Sequence, residues 1–147
     1  MVTSVGTETD LVTLLTDLVQ LDFDAVDAYQ AAIDRLDNPE WRTTLASFRE
    51  DHLRHTEELG EALRRLGVIP PSGGDIKSML TQGKVVLAGL VGDEAILRAM
   101  LSNESDTNTA YERAVQFPDL DIGLRDSLEA ALTDERRHAA WILNQIE

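Results

Sequence analysis

The 147-residue chain predicts an all-α fold, four long helices packed as a bundle with a long crossover between the second and the third. Three observations predict it. Apolar residues recur at alternating steps of three and four along four segments, the period of a core-facing helical stripe. The first and last links are short turns that each hold a proline, whereas the central link runs over residues 67–92. Each stripe is interrupted near its middle by polar residues, at matching places in the two halves of the chain.

Residues 1–7 show no periodicity and are expected to be a loose N-terminus, with the bundle occupying 8–147. The first helix is predicted from about Glu8 to Leu36, with Leu11, Leu14 or Leu15, Leu18, Ala25, Ile33 and Leu36 on its stripe. Asp37-Asn38-Pro39 ends it, because proline lacks the backbone donor and disfavours helix in the residue before it. The second helix, about 40–66, carries Trp41, Leu45, Phe48, Leu59, Leu63 and Leu66 and closes at Gly67, with Pro70-Pro71-Ser72-Gly73-Gly74 beyond. Within the crossover, Ile76 to Leu90 has the makings of a short extra helix, against which Gly83, Gly89 and Gly92 count. Asp93 is the expected N-cap of a third helix reaching about Gln116, with Leu97, Met100 and Val115 inward. Phe117-Pro118-Asp119 breaks the chain, and the fourth helix follows over about 121–146 with Leu124, Leu128, Ala131, Ile142 and Ile146 inward. Two helix pairs separated by a long crossover is the connectivity of ferritin-like bundles; an up-down-up-down bundle needs only short links.

Composition narrows the chemistry. Cysteine is absent, so a disulfide framework or thiolate metal site is excluded, and any metal must be held by imidazole and carboxylate. The net charge of −14 repels nucleic acid and anionic lipid, so neither a nucleic acid nor a membrane is an expected partner. It suits attraction of divalent metal ions, although plain solubility or adaptation to a salty cytoplasm also accounts for it, given 11 arginines against two lysines. The longest apolar run, Val85 to Val91, is too short to span a bilayer, and no basic-then-apolar leader opens the chain; a cytoplasmic protein is the expectation.

The polar interruptions hold the candidate site. Asp51-His52-Leu53-Arg54-His55 and Asp134-Glu135-Arg136-Arg137-His138 contain all three histidines of the protein. The step from His52 to His55, and from Glu135 to His138, sets two side chains about 60° apart on one helix face, as a metal site needs. Asp22 interrupts the first stripe and Glu104 the third, where Thr107 or Asn108 follows. Burying unpaired charge costs several kcal/mol, so such gaps are cheapest if they meet and share a cation. The expected metal ligands are therefore Asp22, His52, His55, Glu104, Glu135 and His138. Superposing the halves pairs Asp22 with Glu104, His52 with Glu135 and His55 with His138, about a pseudo-twofold axis. Tyr29 and Tyr111 each follow their acid by seven residues and share its face, in a supporting role or as ordinary amphipathic core residues. A core-facing histidine can equally be a hydrogen-bonded structural residue. Arg54 and Arg137 read as surface charges, and Asp24, roughly 200° around the helix from Asp22, is expected to face water.

The words Asp-Glu-x-Arg-His and Asp-His-x-Arg-His resemble the Glu-x-x-His motifs of the ferritin-like di-iron carboxylate proteins. His55-Thr56-Glu57-Glu58-Leu59 through Leu66-Gly67 looks like the second helix of ferritins. The second half resembles a bacterial ferritin-like family of unknown function, with its glycine-rich crossover, short helix, and acid seven before a tyrosine. The likeness covers about residues 10–146. It implies that Asp22 and Glu104 are terminal carboxylates, His55 and His138 terminal imidazoles and Glu135 a bridging carboxylate. It also implies that Asp51 and Asp134 hydrogen-bond ligand histidines. One departure stands out: His52 occupies the place of the second bridging glutamate, which favours an asymmetric pair, a single metal or zinc.

The resemblance implies iron, as one ion or a di-iron pair, with zinc or manganese as alternatives. An oxygen- or peroxide-reactive oxidoreductase such as a ferroxidase is one expectation. A binding protein that sequesters iron or another divalent cation without turnover, alone or as a homo-oligomer, is a second. A third is a structural or stress-related bundle with a structural zinc or a relict site.

Overall fold

The computed structural model describes residues 3–73, 87 and 89–147. Four helices, α1 (Leu11–Arg35), α2 (Pro39–Arg65), α3 (Asp93–Ala114) and α4 (Ile122–Ile146), make an all-α four-helix bundle, with no strand among the described residues. The proposed short helix over 76–90 falls largely outside those residues.

Local chemistry sets the helix ends. Asp10 caps α1 by accepting a hydrogen bond from Thr13 N, so the helix starts at Leu11 rather than Glu8. Asn38 caps α2 through bonds from Glu40 N and Trp41 N, and Pro39, which has no N–H to satisfy, takes the first helical position. At the other end Gly67 turns into the left-handed region with φ 79°. Val68 N then reaches Leu63 O and Gly67 N reaches Arg64 O, each at 2.9 Å, closing the last carbonyls in a Schellman motif. Asp121 caps α4 by accepting from Leu124 N at 2.8 Å.

One expectation needs correction. Asp93 is not the N-cap of α3; Gly92 is, with φ 92°, a conformation that disfavours a side chain. Asp93 stands one residue inside the helix, where its charge suits the positive end of the dipole. Its two carboxylate oxygens accept from Asp37 N and Asn38 N, each at 2.9 Å, tying the start of α3 to the α1–α2 turn. Residues 3–7 lie against α3: Arg113 donates to Thr3 O at 2.7 Å and Val5 O at 3.1 Å, and Thr3 N donates to Asp106.

Among the described residues the core forms two apolar clusters. One gathers Leu14, Leu18, Leu59, Leu63, Tyr111, Ala114, Leu124 and Leu128; the other gathers Tyr29, Ile33, Leu45, Phe48, Leu97, Met100 and Ile142. The order in which each helix visits them gives its direction. Helices α1 and α4 run from the first cluster to the second, whereas α2 and α3 run from the second to the first. Because α2 and α3 are parallel, the chain between them must return the length of the bundle, which explains why residues 67–92 are needed. Packing follows: α1 lies on α2 and α3, and α4 lies on the same two, so every packed pair is antiparallel.

Replacing Asp93 with alanine should lower the melting temperature by a few degrees, since two charge-assisted hydrogen bonds worth about 1–2 kcal/mol are lost. Thermal denaturation followed by circular dichroism checks this; an unchanged melting temperature would show that the link carries no stability.

Candidate metal centre

Between the two apolar clusters lies a polar layer, to which every helix contributes from its middle. Asp22 of α1, His52 and His55 of α2, Glu104 and Thr107 of α3, and Glu135 and His138 of α4 are all buried, none more than 2% exposed. The six residues expected from the sequence to meet do meet. Of the alternatives on α3, Thr107 is the one turned inward: its hydroxyl lies 3.2 Å from Glu104 Oε2 and 3.0 Å from Glu135 Oε2. Asn108 instead donates to the backbone carbonyls of Glu104 at 2.8 Å and Glu135 at 3.0 Å, pinning α3 to α4.

The layer resolves into two groups of four side chains, Asp22, His52, His55 and Glu135 on one side and His52, Glu104, Glu135 and His138 on the other. Each offers donor atoms that all lie within 4.8 Å of one another, and each could hold a metal ion. In the first, Asp22 Oδ1 is 2.8 Å from His52 Nδ1 and 3.2 Å from His55 Nδ1, and Glu135 Oε1 is 3.4 Å from both nitrogens. In the second, Glu104 Oε1 is 3.3 Å from His52 Nε2 and from His138 Nδ1, and Glu135 Oε2 is 3.6 Å from His138 Nδ1. Four ligands placed tetrahedrally at about 2.0–2.1 Å from an ion stand about 3.3–3.4 Å apart. Most of these spacings are near that edge length. Two of the atoms, Glu135 Oε1 and His138 Nδ1, are buried without a hydrogen-bond partner. Polar atoms buried without a partner are costly in a sealed core, and a cation would satisfy both once the imidazole gives up its inner proton.

The surrounding contacts cross between the halves of the chain. The Tyr29 hydroxyl donates to Glu104 and the Tyr111 hydroxyl to Asp22, so each tyrosine serves the acid of the other half. Asp51, on α2, lies 2.8 Å from His138 Nε2 on α4, and Asp134, on α4, lies 2.9 Å from His55 Nε2 on α2. Both acids hold a histidine by its outer nitrogen, which leaves Nδ1 facing inward. Arg54 and Arg137 do more than decorate the surface. Each is about half exposed, yet Arg54 bonds Asp51 at 3.0 Å and also Asp134, while Arg137 bonds Asp51 at 2.7 Å and Asp134 at 3.2 Å. Phe48, the face of the second cluster toward the layer, stacks on His138 with ring centroids 4.1 Å apart. Asp24 is half-buried rather than turned to water.

Burial works against ionising every group in the layer, and the neighbours decide the outcome. At Asp22 hydrogen bonds from His52 and His55 outweigh burial and lower its pKa. Glu104 is held well below the usual carboxylate range against burial, by His138 and His52. Glu135 moves upward, through burial and the charge of Glu104. Burial opposes protonation of the imidazoles, but the charge of Glu135 with hydrogen bonds to Asp22 and Glu104 raises His52 well above its usual value. Against the same burial, Asp134 and Asp22 push His55 up to about 12, and Glu104 and Glu135 push His138 up to about 9. Burial raises both tyrosines, helped by Glu104 at Tyr29 and Asp22 at Tyr111, so they stay phenols that donate. With the ionised Asp51 and Asp134, five basic groups face five carboxyl groups across the layer.

The fold and the site together define a four-helix bundle with a buried histidine–carboxylate cluster that could hold metal. Residues 10–116 match the Domain of unknown function (DUF2383), and the chain belongs to that family. The matched stretch holds Asp22, His52, His55 and Glu104 but stops short of Glu135 and His138. The fold is similar to that of a conserved hypothetical protein, rv2844, from Mycobacterium tuberculosis. Its crystal structure aligns with a TM-score of 0.73 at 18% identity, covering 90% of this chain and 93% of that one. No curated protein matches the chain. Among the described residues no helix is long and apolar enough to cross a membrane.

The histidine pKa values set a pH dependence for the metal-free protein. His138 rises from 6.5 to about 9, so its stabilising contribution is complete below pH 6.5 and is lost as pH climbs through 9, whereas that of His55 persists to about 12. Chelator-treated protein should therefore melt at progressively lower temperature between pH 6.5 and 9. A His138→Gln variant should lack that slope. Calorimetric scans across this range test it, and a flat wild-type profile would mean that His138 is already neutral.

Proposed function

We propose that the protein is a ferritin-like metal-binding bundle that holds one or two divalent cations, iron foremost, at Asp22, His52, His55, Glu104, Glu135 and His138. The observation that carries this reading is a fully buried set of imidazoles and carboxylates in which two polar atoms, Glu135 Oε1 and His138 Nδ1, have no hydrogen-bond partner. Membership of the ferritin-like superfamily is supported by the parallel α2 and α3, which demand one long crossover, and by the Glu135-x-x-His138 pair on α4. Imidazole and carboxylate donors without thiolate suit iron, manganese and zinc. Asp51 and Asp134, braced by Arg54 and Arg137, would keep the inner nitrogens of His138 and His55 free to bind. Bound iron would supply a redox centre, and its oxidation by oxygen is the activity to look for.

A second reading is binding without turnover, with zinc as a structural ion. The N···O spacings of 2.8–3.6 Å in each group suit it, because a zinc closed by four protein ligands leaves no coordination position for a substrate.

Elemental analysis of protein purified without chelator, followed by anaerobic calorimetric titration with ferrous, manganous and zinc ions, tests the proposal. Replacing Glu135 with alanine should weaken binding by roughly a hundredfold or more, since outer partners alone are worth 10–100-fold. Replacing Glu129, an exposed acid on the same helix, should change it little. Equal effects of the two substitutions would place the metal elsewhere. Oxygen uptake on adding ferrous ion separates the two readings.

A further inference from the structure

His52 stands where the pseudo-twofold relation sets Glu135 on the opposite helix, and its ring lies between the two donor groups. Its Nδ1 is 2.8 Å from Asp22 Oδ1, and its Nε2 is 3.3 Å from Glu104 Oε1. Glu135 is split the same way: Oε1 lies 3.4 Å from Nδ1 of His52 and of His55, and Oε2 lies 3.6 Å from Nδ1 of His138. An imidazole has two ring nitrogens, and here each faces a different donor group.

We propose that His52 bridges two divalent cations as an imidazolate, Nδ1 binding the ion shared with Asp22, His55 and Glu135, and Nε2 binding the ion shared with Glu104, His138 and Glu135. This rests on the metal-binding reading above and specifies how that site is divided. Each half then has two nitrogens and two oxygens, and His52 and Glu135 are the shared pair. A ring bound through Nδ1 alone keeps an N–H at Nε2. That N–H faces Glu104 Oε1 inside the second group, where it takes the place of a cation. Both groups fill together only when the ring gives up both protons, which pass to solvent as the two nitrogen–metal bonds form. Charge supports the same arrangement. Three carboxylates and one imidazolate balance two divalent ions in a site from which water is excluded, whereas a neutral ring leaves one positive charge buried without a counter-ion.

Zinc-loaded wild-type crystals test this directly by anomalous diffraction. Two bonds of about 2.0–2.1 Å plus the width of the ring put the ions roughly 6 Å apart, on opposite sides of His52. Native mass spectrometry should count two zinc ions on the wild-type chain and one on each of two variants. In His52→Asn the amide lies near the place of Nδ1, so the ion beside Asp22 stays; in His52→Gln it lies near Nε2, so the ion beside Glu104 stays. Ions roughly 3.5–4 Å apart with the ring on only one of them would overturn the bridge while leaving the metal site intact. So would a single ion on the wild type, or either folded variant keeping two. Failure of every form to bind zinc, manganese or iron would overturn the metal-binding reading itself. Circular dichroism establishes that each variant folds, and the wild-type diffraction decides the matter if neither does.

Discussion

The structure depends on keeping a layer of ionisable groups out of water in the middle of a helical bundle. Three imidazoles and three carboxyl groups sit at 0–2% exposure between two apolar clusters. Unpaired, any one of them costs several kcal/mol, comparable with the whole stability of a small domain. They are tolerated because every helix brings its polar residues to one level, where the groups compensate one another. That demand fixes the register of the helices more tightly than apolar packing does. A Leu stripe slipped by one turn meets another Leu, but a slipped Asp22 would lose His52, His55 and Tyr111 together.

Most of this was legible in the sequence, and what was not has physical reasons. Helical period tells which residues share a face, so the four stripes, their polar gaps and the six central residues could be read directly. It says nothing of which residue on another helix lies opposite. The pairing of Tyr29 with Glu104, Tyr111 with Asp22, Asp51 with His138 and Asp134 with His55 is therefore invisible until the helices are packed. Arg54 and Arg137 looked like surface charges because their side chains are half exposed; their function lies in the guanidinium tips, which reach back to Asp51 and Asp134. Asp93 misled for a similar reason. An acid at a helix start reads as its own cap, but here glycine caps the helix and the carboxylate holds a turn more than fifty residues away in sequence.

The two halves are related but unequal, and the inequality falls on the central layer. Asp22 answers to Glu104 and is one methylene shorter, yet it accepts from both histidines of α2 through a single oxygen. Glu104, the longer of the two, reaches His52 of α2 and His138 of α4. Among the histidines, the shorter acid thus serves those of one helix and the longer acid those of two. His52 answers to Glu135, and each lies between both donor groups. The substitution exchanges one negative charge for an imidazole while keeping a donor atom on either side.

That exchange allows the layer to be neutral in two different states. Without metal, three imidazolium ions stand against three carboxyl groups, and the outer Asp51, Asp134, Arg54 and Arg137 balance among themselves. With His52 bridging, two divalent ions bring four positive charges. Four ring protons leave: two from His52 and one each from the inner nitrogens of His55 and His138. The buried charge is unchanged, so in this arrangement loading is an exchange of cations for protons rather than the insertion of charge into a low-dielectric core. A glutamate at position 52 would break that equality, because the metal-free layer would then hold four carboxyl groups against two imidazoles. In that arrangement the histidine offers something that a carboxylate bridge does not: a central layer that is neutral both with and without bound ions.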